Sequence, residues 1–294
     1  MKLGAFELKD PLPDLKDPHA FAILHPWVDV GNVGTLALSR LETESGAVPL
    51  GKLARPGAFF DFTRYRPTFQ IVEGARKVSV PNTTVSCALT GKDNDFLFLK
   101  LLEPHMLAET YVDSVLELLK KLGVKRYYLL GSMYDMVPYT RPLLLTGHAN
   151  FKIDTWPEAA KLLPSDYVGP TSMMVLITQK AAEMGIETCT MVVHLPNYLG
   201  LDDDYRGQVR LMEVLSPLYG FPPSVEDANK AREQVESVAH MAEQILKQEP
   251  QYKVILQQLE ESYDSRVRTS KQTTRLSPQL EQFLQDLGKR LDHG

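Results

Sequence analysis

Apolar residues recur along this chain at two spacings, and the alternation between them predicts its elements. Short runs at residues 21–24, 70–73, 84–89, 95–101, 126–130 and 188–194 are rich in Val, Ile, Leu, Phe and Tyr and have turn residues nearby, which predicts strands. Between two of them the spacing lengthens to a helical period. Leu107, Tyr111, Val115, Leu118, Leu119 and Leu122 form one stripe within residues 104–122, and Gly123 closes it as a C-cap. Residues 172–184 repeat the arrangement, with Gly185 ahead of the next strand. Two copies of helix, terminal glycine and buried strand predict crossover units in a largely parallel sheet covered on both faces. The core is therefore expected to be α/β.

After Pro222 and Pro223 the pattern changes to Glu, Gln, Lys, Ala and Leu, with no glycine until Gly288. Ser224 followed by Glu226 and Asp227 predicts a helix start. Val235, Val238, Met241, Ala242 and Ile245 make one helical stripe, and Val254, Ile255, Leu259 and Tyr263 make the next. Pro250 and the polar residues 266–275 separate these helices, and a last one is expected at 278–291. The organisation read from the sequence is an α/β core over residues 1–222 and a helical C-terminal extension over 223–294.

Composition narrows the function classes. A chain of 294 residues that is 44% hydrophobic buries a large core. Its net charge of −5 and the lack of a long basic stripe argue against a nucleic-acid surface. Lys120-Lys121 and Arg266 to Arg268 are read as solvated helix faces. Cys87 and Cys189 each lie in an apolar run, which predicts buried free thiols in a reducing compartment. With no signal pattern and no apolar run of about 18 residues, the protein is expected in the cytoplasm and off the membrane.

Candidate chemistry collects at predicted strand ends. Residues 25–34, His-Pro-Trp-Val-Asp-Val-Gly-Asn-Val-Gly, leave a buried strand and enter a helix capped by Asn32 or Gly31. Such a helix start either holds an anion or fixes the helix against the sheet. Asp29 in that turn either contacts a ligand or bonds the amides of its own turn. Residues 137–142 (Val-Pro-Tyr-Thr-Arg-Pro), 168–172 (Val-Gly-Pro-Thr-Ser) and 194–198 (His-Leu-Pro-Asn-Tyr) sit at further strand ends or helix starts. In a parallel sheet these loops converge on one edge, where open α/β folds place their ligands. The candidate ligand or interface residues are Trp27, Asp29, Gly31, Asn32, Gly34, Tyr139, Arg141, Gly169, Thr171, His194, Asn197 and Tyr198.

A nucleophile elbow, a phosphate-binding glycine loop ending in Gly-Lys-Ser or Gly-Lys-Thr, and a His-Glu-x-x-His pair are all missing from the sequence. Ser132 after Gly131 is read as a turn residue, with Gly131 allowing a sharp exit from the sheet. The run Asp202-Asp203-Asp204 is read as a solvated loop rather than a metal site. No metal and no cofactor are expected.

The 26–34 loop, the run Phe60-Asp61-Phe62-Thr63-Arg64-Tyr65-Arg66-Pro67, the 137–142 segment, the Gly169-Pro170-Thr171 turn and the 194–198 loop carry a resemblance. Over about residues 20–220 they resemble, in order and spacing, the prokaryotic branch of the proteasome assembly chaperone 2 family. The resemblance implies a three-layer α/β/α core like that of purine nucleoside phosphorylases and related hydrolases. It also implies homo-oligomers, trimeric or larger, and a C-terminal helical part. Members that engage a proteasome use a hydrophobic-Tyr-any tail, from which Leu291-Asp292-His293-Gly294 departs.

Two functions follow. In one, the protein is an oligomeric, non-catalytic scaffold or assembly-chaperone-like protein whose partner is itself or another protein complex, with Trp27, Tyr65, Tyr139 and Tyr198 buried between chains. In the other, it binds or converts a nucleoside or anion in a pocket built from the Asp29, Asn32, Arg141 and Thr171 loops. The first is favoured because no set of nucleophile, base or metal ligands assembles from the sequence.

Overall fold

The computed structural model describes residues 1–152, 162–165 and 167–269. Its elements in chain order are β1 (Lys2–Leu3), β2 (Phe6–Leu8), β3 (His19–His25), α1 (Val33–Ser45), β4 (Val48–Leu53), β5 (Thr68–Val72), β6 (Ala75–Ser79), β7 (Thr84–Ala88) and β8 (Phe96–Leu102). They continue as α2 (Ala108–Lys121), β9 (Arg126–Asp135), β10 (Leu145–Ala149), α3 (Met173–Glu183), β11 (Glu187–Pro196), α4 (Tyr205–Tyr219), α5 (Val225–Gln248) and α6 (Tyr252–Thr269).

Among the described residues nine strands form one sheet in the order β1-β2-β4-β7-β8-β3-β9-β11-β10. The apolar run of β3 explains its central place, since a strand buried on both faces needs apolar residues at successive positions. It pairs in parallel with β8 (Phe21 opposite Phe98) and with β9 (Phe21 opposite Tyr128). Parallel pairing thus holds at the centre, while β1, β2, β4, β7 and β8 are joined antiparallel. The sequence pattern misses β1, β2, β4 and β10 of this sheet, and β6 outside it. Two of these have only two or three residues, and β4 carries Pro49 and Gly51 at a register shift.

By contacts the chain divides into two units. One comprises Met1–Trp27, Leu38–Leu129 and Pro170–Cys189. Its core joins Ala20, Ala22 and Leu24 of β3 and Leu97, Leu99 and Leu101 of β8 to the buried stripe of α2 and to Met174 and Ile177 of α3. The alternate β3 residue Phe21 stacks on Tyr128 with ring centroids 5.1 Å apart. The predicted helix ends are where the glycines put them: Leu122 caps α2 ahead of Gly123 at φ 68°, and Gly185 at φ 82° follows α3. Ser172 starts α3 by accepting the Met174 amide.

The predicted strand at 70–73 forms, but outside the main sheet. It falls in β5, which pairs only with β6 in a separate two-stranded ribbon, and every residue of both strands is exposed. From Thr68 to Ile71 its apolar and polar residues alternate, and Glu73 and Gly74, both at positive φ, make a two-residue hairpin turn.

The other unit comprises Val28–Ala37, Leu130–Gly169 and Thr190 onward. Asp204 caps α4 through the Gly207 amide, and Ser224 caps α5 through the Asp227 amide, as the sequence predicts for α5. Tyr198, Leu199, Val238 and Leu259 form a small apolar cluster. The helix expected at 278–291 lies outside the described residues.

Candidate functional site

The Asp29 turn is closed by its own chain. Asp29 is buried, and its carboxylate accepts from the Gly34 amide (2.8 Å), the Thr35 amide (3.2 Å) and the Thr35 hydroxyl (2.6 Å). It therefore satisfies the first free amides of α1, where the helix dipole favours negative charge. The sequence assigned that cap to Asn32 or Gly31. Asn32 instead turns its amide to the Asp202 carbonyl (3.1 Å) and the Asp203 carboxylate (2.9 Å). Gly31, at φ 59°, lies so close to the same segment that a Cβ would stand 2.9 Å from Asp204 Cβ. Asp202 is exposed, as a solvated loop requires, but Asp204 is buried and paired with Arg206, so the end of the acidic run is a clamp.

Two predicted strands run further than their apolar residues indicate. β9 continues through Gly131 to Asp135 rather than leaving the sheet at the glycine. The reason for glycine there is space, because a Cβ would meet the Val28 carbonyl oxygen at 2.5 Å. Ser132 bonds this turn, its hydroxyl donating to the Val30 carbonyl and its amide to the Val28 carbonyl. β11 likewise continues past His194 to Pro196.

These extensions assemble a buried polar chain. His194 Nδ1 donates to Asp135 Oδ2 at 2.7 Å, and its Nε2 shares a 2.7 Å hydrogen bond with Thr146 Oγ1. Arg266 of α6 donates to the same Asp135 oxygen at 2.7 Å. Burial alone would raise the Asp135 carboxyl, but bonds and charge from His194 and Arg266 outweigh it and hold the group well below the usual carboxylate range. Hydroxyl, imidazole and carboxylate stand in the order of a nucleophilic relay, yet Thr146 is only 3% exposed and His194 5%. In this conformation a substrate atom has little access to the hydroxyl.

Arg141 makes the second contact to α6, bonding Glu260 at 3.1 Å and Asp264 at 3.2 and 3.3 Å. Beside it the buried Tyr198 hydroxyl donates to the Val137 carbonyl and accepts the Tyr139 amide. Burial pushes the Tyr198 and Tyr139 phenols up. Asn197 donates its amide to the Asp135 carbonyl, and its buried side-chain oxygen has no hydrogen-bond partner among the described residues.

The structure thus gathers Arg141, Tyr139, His194, Asn197 and Tyr198 in one unit. Asp29, Gly31, Asn32 and Gly34 form the separate helix-start cluster of that unit. Trp27 is 51% exposed, and Gly169 and Thr171 are exposed, with the cap of α3 supplied by Ser172. Of the aromatics expected between chains, Tyr198 is buried by its own chain, and Tyr65 rests on His105 with its hydroxyl on the Glu103 carbonyl.

Asp135, Thr146 and Arg266 escaped the sequence reading, which placed Arg266 on a solvated face although its side chain is 15% exposed. One signal was available: Arg266 lies seven residues after Leu259 and so shares its helical face. A cavity of about 720 Å³ is lined by β2, β4, β7, β8 and α1, including Glu42, Lys52, Ser86 and Lys100, and by none of the predicted site residues. Among the described residues no group of three or more His, Cys, Asp or Glu side chains could hold a metal ion, and no helix is long and apolar enough to cross a membrane.

The sequence pattern of the PAC2 family matches residues 23–245. The chain belongs to the PAC2 family. No curated protein matches it. Among solved structures, this PAC2 chain is similar to a protein of unknown function from Corynebacterium glutamicum, with 18% identity, 91% of this chain and 100% of that one covered, and a TM-score of 0.77. It is similar to a Mycobacterium tuberculosis proteasome-assembly chaperone homologue at 21% identity, covering 76% and 94% of the two chains with a TM-score of 0.66. It is also similar to PbaB, an archaeal proteasome activator from Pyrococcus furiosus, at 13% identity, covering 82% and 100% with a TM-score of 0.62. At these identities the likeness establishes a shared α/β fold.

Proposed function

We propose that this PAC2 protein acts as an oligomeric, non-catalytic scaffold of the assembly-chaperone kind, working in the cytoplasm on another protein complex. The observation that carries this reading is the inward use of the strand-end polar groups. Asp29 caps its own helix, Arg141 and Arg266 bind α6 and Asp135, and His194 lies between Asp135 and Thr146. Groups spent on the chain's own framework position surfaces rather than reactants. Family membership and the chaperone and activator among the structural neighbours support a partner of proteasome type. Cys87 and Cys189 are both free and buried, which fits the reducing compartment of this reading.

The test joins light scattering to a thermal-shift screen of nucleosides, phosphates and amino acids. The scaffold reading expects a mass above that of one chain and no ligand-dependent rise in Tm. A monomeric mass, or a nucleoside that raises Tm in the native chain but not in His194→Gln, would overturn it. The Thr146–His194–Asp135 geometry favours a second reading, an acyl-transfer or hydrolytic site opened by movement of α6. Ester turnover that is lost in Thr146→Val would establish that alternative.

A further inference from the structure

The β5–β6 ribbon lacks what a sheet needs for stability. Two strands alone are marginal in water unless a third strand or a packed face covers them. Register places Phe69 opposite Val78 and Ile71 opposite Arg76, so these four side chains share one face. Phe69 is 58% exposed, Ile71 70% and Val78 61%. The ribbon and its flanks are also basic: residues 64–80 hold Arg64, Arg66, Arg76 and Lys77 against Glu73, a net of +3 in a chain of −5. Its partner should therefore combine apolar and acidic groups.

The outer face of α2 and α3 has that chemistry. Glu109, Asp113 and Glu117 are exposed at four-residue spacing along one side of α2, a stripe that ends in Lys121. Lys180 of α3 reaches Asp113 at 3.3 Å, and one turn earlier on α3 Leu176 is 51% exposed. Leu107, just ahead of α2, is 57% exposed.

We propose that the β5–β6 ribbon is an arm whose apolar face, with Arg76 on it, docks on the α2–α3 face of a second copy of this chain, where exposed Leu107 and Leu176 meet the apolar side chains and the α2 carboxylates meet Arg76. The proposal rests on the oligomeric reading above and names its contact. Two arms carrying +3 each repel, so arm-on-arm pairing is disfavoured and the contact joins two different surfaces. Contacts of that kind propagate around a ring when the rotation closes.

The test uses sedimentation velocity on the full chain, with far-UV circular dichroism and urea midpoints to confirm folding. Phe69→Ser/Ile71→Ser and, separately, Glu109→Lys/Asp113→Lys should each raise the oligomer dissociation constant at least about a hundredfold. Arg76→Glu combined with the α2 reversal should recover part of that loss, and Lys77→Glu, on the opposite face, should recover none. As a geometric check, a tagged Ile71→Cys chain mixed with a Leu176→Cys chain should form a disulfide-linked pair. Oligomers unchanged in both apolar and acidic variants, or crosslinking of Ile71→Cys chains with each other in preference to the Leu176→Cys chain, overturn the docking while leaving the oligomeric reading intact. A native chain that is monomeric at about 100 μM overturns both.

Discussion

Around α2, the side chains of Leu97, Leu99, Leu101, Val115 and Leu118 are wholly buried and apolar. Around α6, by contrast, the contacts among the described residues include Arg141 with Glu260 and Asp264, Arg266 with Asp135, and a small apolar cluster of Tyr198, Leu199, Val238 and Leu259 with partly buried Met136, Tyr139, Met241 and Ile255 against it. Apolar burial is non-directional and scales with area, so the first region tolerates small shifts in position. Charged pairs depend on alignment, salt and protonation, and a helix held by them opens at lower free energy. The difference teaches that one region is built for permanence and the other for adjustable attachment.

The strongest way to break this comparison is in the apolar region. Leu99→Ala should cost about 3 kcal/mol in urea unfolding, the transfer term plus the cavity left in a close-packed core. A loss below about 1 kcal/mol would show that the core around β8 is loosely packed. In the polar region, Asp135→Asn removes the charge that both His194 and Arg266 address, and should cost about 2 kcal/mol. Hydrogen exchange would sharpen the contrast, because this variant should speed amide exchange in α6 and leave α2 unchanged.

The two regions should also differ in their response to acid. Burial, reinforced by Arg126, lowers the His19 pKa from 6.5 to about 4. Its folded value is depressed, so its contribution is complete above pH 6.5 and is lost as pH falls toward 4, by about 2 kcal/mol after allowance for partial exposure. His19→Gln should flatten the stability profile in that window. Asp135 is also depressed, and its contribution persists above the usual carboxylate value and declines only below about pH 4. The smallest effect belongs to Arg141→Ala, whose pairs are solvent-screened. It should leave the urea midpoint nearly unchanged while α6 exchanges faster, and 1 M salt should bring the native protein toward the variant.

The apolar region was readable from the sequence because its signals are local. The α2 stripe, the glycines at 123 and 185 and the run of β3 each declare an element without reference to distant residues. The polar cluster was not, since Asp135, Thr146, His194 and Arg266 come from four separate stretches and meet only in space. Gly131 misled for a related reason: a glycine that stands for a turn in one dimension here serves close passage of the Val28 carbonyl. The exposed ribbon was visible as a strand but not as exposed, because burial depends on neighbours its sequence does not contain.

The clamp between Asn32 and Asp203 joins positions 171 residues apart. During synthesis, the amino-terminal half of that contact leaves the ribosome long before its other half exists. At roughly 5–20 residues per second the wait lasts about ten to thirty seconds, during which the start of α1 has its Asp29 cap but lacks this distant clasp. The turn at residues 28–34 therefore depends for its final closure on chain made much later, and makes that region sensitive to the order and pace of translation.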